Sequence, residues 1–115
     1  MTKHIVTQRP SFQGDLMVRR IDKMPNGLTP RAAANGMHIV AHSETGHHHI
    51  VKERAAQMFI DETNAFIAYL KVAEPTEIEH LRSFDTHEPL TLLPGIYEVR
   101  REREFGLEGW QRAAD

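Results

Sequence analysis

Residues 37–52 read Met37-His38-Ile39-Val40-Ala41-His42-Ser43-Glu44-Thr45-Gly46-His47-His48-His49-Ile50-Val51-Lys52, two β-forming runs around a Thr-Gly break. A short polar break containing glycine between two such runs is a hairpin signal. Strands are therefore expected over Met37–Glu44 and His47–Lys52. With Thr45-Gly46 as a two-residue loop, Glu44 opposes His47 and His42 opposes His49. A four-residue loop, Ser43–Gly46, pairs His42 with His47 and keeps the same parity; only an odd loop breaks it. Directly opposed residues share a sheet face, so His42, His47 and His49 are expected to converge while His48 points away. Alternation adds Val51 and Glu53 to the histidine face and leaves Met37, Ile39, Ala41 and Ile50 on the other. The pattern leaves open which face is the core.

Outward from this hairpin, Asp15–Asp22 reads as a strand running into the turn cluster Met24–Gly27. Residues 28–36 read as a loop with at most one helical turn at Arg31–Ala34. Further strands are expected at Gln57–Ile60, Ala65–Ala73, Thr76–Leu81, Glu88–Leu93 and Ile96–Phe105. Residues 51–60 hold helix formers but are read as a loop plus strand, and 107–114 admits a short helix. About seven or eight short strands with frequent turn signals predict an all-β fold. The expected form is a small antiparallel barrel or sandwich, a cupin-like arrangement included, with at most short helices. The 115 residues supply one core, so residues 1–115 are read as a single β domain.

Composition narrows the function classes. Hydrophobic residues make up 40% and charged residues 26%, a globular balance that argues against a disordered chain. The longest apolar run, Ala65–Leu70, is far short of the ~18–20 residues of a membrane span. The first fifteen residues are polar and lack a signal-type apolar region, and with no cysteine there is neither disulfide nor thiolate ligand. A cytoplasmic location is expected, without a membrane contact. A formal charge of −2 provides no field to attract nucleic acid. The final strand carries Tyr97, Val99, Arg101, Arg103 and Phe105 on one face and interleaves glutamates on the other; the arginines form internal ion pairs in the structural reading and bind an anionic ligand or phosphate backbone in the functional one, with the glutamates arguing against nucleic acid.

Histidine is the anomaly. Of eight histidines, five lie between His38 and His49, and His80 and His87 form a second cluster with Asp85 and Glu88. Neutral imidazoles suit zinc, nickel, iron or copper better than calcium or magnesium. The expected ligand set for one divalent transition metal is His47, His49, His80 and His87, with His42 or Glu53 as substitutes. An open coordination position makes such an ion catalytic, with Glu44 or Glu53 as base to a bound water, and a filled one makes it structural. Whether the protein is an enzyme stays open, and no phosphate loop, nucleophile elbow or His-Glu-x-x-His helix is present. Apolar residues on both faces of Met37–Ala41 and Phe66–Leu70 predict a homodimer, with Trp110 as a candidate contact. A small-molecule ligand is compatible with all of this.

Thr45-Gly46-His47-His48-His49, with Gly14-Asp15-Leu16 before it and Leu93-Pro94-Gly95-Ile96-Tyr97-Glu98-Val99 and Arg103-Glu104-Phe105 after it, resembles a group of small bacterial and phage-encoded proteins. Their pattern has a Gly-Asp-Val start, a Thr-Gly-His-x-His motif and a Leu-Pro-Pro-Gly-x-Tyr-x-Val ending. The group has no established activity, so the resemblance implies a shared histidine motif and names no reaction. In it a His-x-x-His segment precedes the Pro-Gly turn, whereas His80 and His87 stand six residues apart. His47, His49 and Glu53 also resemble the His-x-His and Glu spacing of the first cupin motif, although Ala41 replaces its leading glycine and no histidine follows Pro94-Gly95. The alternative to a metal protein is a non-catalytic phage-type interaction or assembly module whose histidines are incidental.

Overall fold

The computed structural model describes residues 4–41, 48–80 and 89–101. They form eleven strands: β1 His4–Ile5, β2 Ser11–Gln13, β3 Leu16–Ile21, β4 Thr29–Arg31, β5 Met37–Ala41, β6 His49–Lys52, β7 Ala56–Asp61, β8 Asn64–Val72, β9 Thr76–His80, β10 Leu90–Leu92 and β11 Gly95–Arg101. The only helical turn among the described residues is a 3-10 turn at Glu53–Ala55. No helix among them is long and apolar enough to cross a membrane. One sheet has the order β1-β10-β9-β6-β5 and the other β2-β3-β11-β8-β7-β4. Every neighbouring pair is antiparallel except β1 with β10.

The all-β expectation holds, in the two-sheet form. One core cluster draws on both sheets, with Val40, Val51, Ile78 and Leu92 from the first and Leu16, Met58, Leu70, Tyr97 and Val99 from the second. Leu16, Leu70, Ile78 and Leu92 are fully buried, and each contributes on the order of 1.5–3 kcal/mol of apolar transfer. Period-2 alternation sets these faces. On β11, Tyr97 and Val99 turn inward, while Glu98 on the other face accepts from Arg19 Nε at 2.7 Å and Arg100 Nη2 at 3.2 Å. The Tyr97 hydroxyl donates to the Leu93 carbonyl at 2.7 Å, which satisfies its buried polar end. A Cβ at Gly95 would lie 2.8 Å from the Arg20 guanidinium, the far end of a long side chain that donates to the Pro94 carbonyl, so a larger residue there would displace that guanidinium.

Several expectations are corrected. Residues 28–36 are not all loop: Thr29–Arg31 form β4, with Pro30 opposite Phe59. β4 is the edge of its sheet, where a missing N–H costs no ladder bond. The turn into β5 follows at Asn35 and Gly36, both with positive φ. The short strands β1 and β2 were not apparent from periodicity at all. The helix formers of 51–60 yield one 3-10 turn, and β7 follows directly. The region 102–115, with Arg103, Phe105 and Trp110, lies outside the described residues.

The hairpin register differs most. β5 and β6 do pair antiparallel, but a bulge between Ile39 and Ala41 makes Ala41, not His42, the partner of His49. The pairing is therefore shifted by one position from either expected loop, and Ala41 leaves the face assigned to it and enters the core at 6% exposure. Both faces of β6 are buried, but Val51 belongs to the core cluster and Ile50 does not, and His49 on the Val51 face reaches Gln13 of the other sheet, so the histidine face points into the sandwich.

Candidate functional site

The site is assembled at one end of the sandwich by strand register. His49 opens β6 and is opposed by Ala41 on one side and by His80, the last residue of β9, on the other. From the second sheet, Gln13 closes β2 opposite Leu16, and Gly14-Asp15 form the two-residue turn between them. Gly14 has φ 62°, the left-handed region that favours glycine. Arg101 at the end of β11 pairs with the same Leu16.

Gln13 connects the two sheets. Its side chain is 1% exposed, and its Nε2 donates to the Ile78 carbonyl of β9 at 2.9 Å. That bond fixes the amide orientation, so Oε1 is the end that meets His49 Nδ1 at 2.8 Å. A carbonyl oxygen only accepts, so Nδ1 carries a proton and donates. The remaining nitrogen, Nε2, faces Asp15 Oδ1 at 3.7 Å. The neighbouring His49 imidazole holds the Asp15 carboxyl below the ordinary aspartate range, against an opposing effect of burial, and Arg101 adds a smaller electrostatic pull the same way. The 3.7 Å separation is longer than a hydrogen bond and is within ion-pair distance of the carboxylate.

The expected ligands are distributed as follows. His49 is buried at the site, and the register places His80 opposite it, joining the two histidine clusters. His42, His47 and His87 lie outside the described residues, as do Glu44 and Asp85. Glu53 is not brought to His49: β6 ends at Lys52, and the exposed Glu53 opens the 3-10 turn, where strand alternation no longer applies. Among the described residues no three His, Asp or Glu side chains form a metal-holding group. Gln13 and Asp15 were missed as site residues. The signal available was the Gly14-Asp15-Leu16 match, which was read only as part of a resemblance.

A second histidine has a separate setting. His38 is 5% exposed, and its Nε2–H donates to the Ala56 carbonyl across the sheets at 3.1 Å. Its Nδ1 is buried and has no partner among the described residues.

The fold and this network define a two-sheet all-β protein with a buried histidine bridged between its sheets. Residues 12–102 match the family described as a domain of unknown function, DUF8820, and the chain belongs to that family. No curated protein and no solved structure matches the chain significantly.

Proposed function

We propose that the protein binds one divalent transition-metal ion, zinc, nickel or iron, at this end of the sandwich, through His49 and His80 with Asp15 as a carboxylate ligand. His47 and His87 complete the set expected from the sequence. The observation that carries the reading is the orientation of His49. Metal-ligating histidines usually donate their other ring N–H to an oxygen acceptor that fixes tautomer and ring angle, and Gln13 Oε1 supplies that acceptor. Two donor atoms about 2.0–2.2 Å from one ion and 3.7 Å apart subtend roughly 125° at it, within the range of a distorted tetrahedron. The ion would act as a Lewis acid or a structural clamp, depending on whether a position stays open.

Elemental analysis of protein purified without a tag tests this directly, with about one ion per chain expected. His49→Ala should abolish binding, and His48→Ala, at the position before β6, should leave it nearly intact. Protein that holds no metal and takes up none on titration refutes the reading, and Gln13, His49 and Asp15 then form a structural network only.

A further inference from the structure

We propose that the cleft opening between β5 and the β4–β7–β8 side of the second sheet is a binding site for a small amphipathic monoanion, an apolar body carrying one carboxylate. The cleft has a volume of about 550 Å³, in the range of small-molecule sites. Its walls come from both sheets: Val40 and Ala41 on one side and Met58 and Ala68 on the other, each a buried member of the core cluster. The cleft therefore reaches between the sheets instead of lying on the surface. Three alanines in its lining, Ala41, Ala65 and Ala68, provide room that larger side chains would fill.

The charge at the rim selects the head group. Arg101 and Arg31 both line the cleft, and the Arg101 guanidinium lies 5.5 Å from the Phe66 ring centroid, which supports it on an aromatic face. Of the two acidic residues there, Asp61 is engaged in its own turn. Its Oδ1 accepts from the Thr63 amide at 2.9 Å and the Thr63 hydroxyl at 2.6 Å. The other, Glu62, is exposed on the turn between β7 and β8; the guanidiniums are the cationic groups a ligand meets, and Arg matches a carboxylate in a bidentate geometry. The apolar body would occupy the space between Val40 and Ala68. Arg101 also acts on Asp15, so this cleft adjoins the histidine site, but the inference does not depend on a metal.

The test uses full-length protein in EDTA, with phenylacetate as probe and phenylacetamide and phenethylammonium as matched neutral and cationic controls. Methyl NMR should show saturable shifts at Ile39, Val40, Ile60 and Ala68 with phenylacetate. Phenylacetamide should bind at least ~10-fold more weakly, the usual worth of a charge-assisted hydrogen bond. Arg101→Gln should reduce phenylacetate binding to the amide's level, and Arg31→Gln should give a smaller loss, with dispersed methyl spectra establishing that each variant is folded. The proposal is overturned if acid and amide bind alike, if the ammonium binds best, if none of the three shifts these methyls, or if Arg101→Gln changes nothing. Because metal is absent throughout, these outcomes are independent of the metal reading.

Discussion

Replacing Gln13 with leucine is the most direct perturbation of the network. It removes two hydrogen bonds, to the Ile78 carbonyl at 2.9 Å and from His49 Nδ1 at 2.8 Å. It leaves a buried carbonyl and a buried ring N–H without partners, and each such group costs about 1–3 kcal/mol. The apolar replacement returns about 1–2 kcal/mol of transfer free energy, so the net loss is about 1–4 kcal/mol, centred near 2.5. In a domain near 100 residues each kcal/mol moves Tm by roughly 4–8 °C, so a fall of about 10–25 °C is expected in thermal unfolding followed by circular dichroism. His49→Phe breaks the same bond from the other side. The double variant should therefore be less destabilised than the sum of the singles, by about 1 kcal/mol or more. Metal affinity should fall about 10–100-fold in Gln13→Leu, as for other residues that orient a ligand. Strict additivity, or a loss under about 0.5 kcal/mol, would falsify the assignment of Gln13 as the link between the sheets.

Gly14→Val forces a β-branched residue into a left-handed turn position and should cost about 1–2 kcal/mol or more in denaturant midpoint; an unchanged midpoint would contradict the turn geometry. Burial pushes both Tyr69 and Tyr97 above the ordinary tyrosine value. The unfolded chain thus loses these protons first, and the stability they contribute is present below about pH 10 and declines as pH rises through it. Phenolate absorbance should appear at higher pH in folded than in urea-unfolded protein, and coincident curves would contradict burial. The Thr63 hydroxyl and then its amide hold the Asp61 carboxyl below the aspartate reference, so its contribution is intact above about pH 4 and is lost as pH falls through the lowered value. The stability gap between wild type and Asp61→Ala should narrow on acidification below about pH 4; a constant gap down to pH 2 would count against it. Finally, the protein is expected to sediment as a homodimer at micromolar concentration, and a 13.2 kDa particle would refute that expectation.

Strand positions were legible in this sequence because most strands obey a period of two and are closed by turn residues. Leu16–Ile21, Asn64–Val72 and Gly95–Arg101 carry their inward residues at every second position, and the Pro94-Gly95 turn punctuates them. Strands β1, β2 and β4 have two or three residues each, too few to establish a period. β4 also contains a proline, which counts against a strand until its edge position is known. The 51–60 segment shows the reverse: its helix formers give a weak preference that tertiary pairing of β7 with β4 and β8 overrides.

Of the residues around His49, the sequence singles out the histidines but neither Gln13 nor Asp15, and it does not give their geometry, for which one bulge is largely responsible. Parity arguments carry a face assignment along a strand only while no residue is inserted, and the irregularity between Ile39 and Ala41 shifts everything beyond it by one position. That insertion brings Ala41 into the core and sets it opposite His49. The groups that fix the imidazole come from 36 residues away in the case of Gln13 and from a turn in the opposite sheet in the case of Asp15, separations at which no periodicity speaks. The sequence marks a histidine as unusual by its density of neighbours. Its chemistry is set by which nitrogen is tied down, and here that depends on a glutamine whose own orientation is fixed by a backbone carbonyl of the strand that ends in His80.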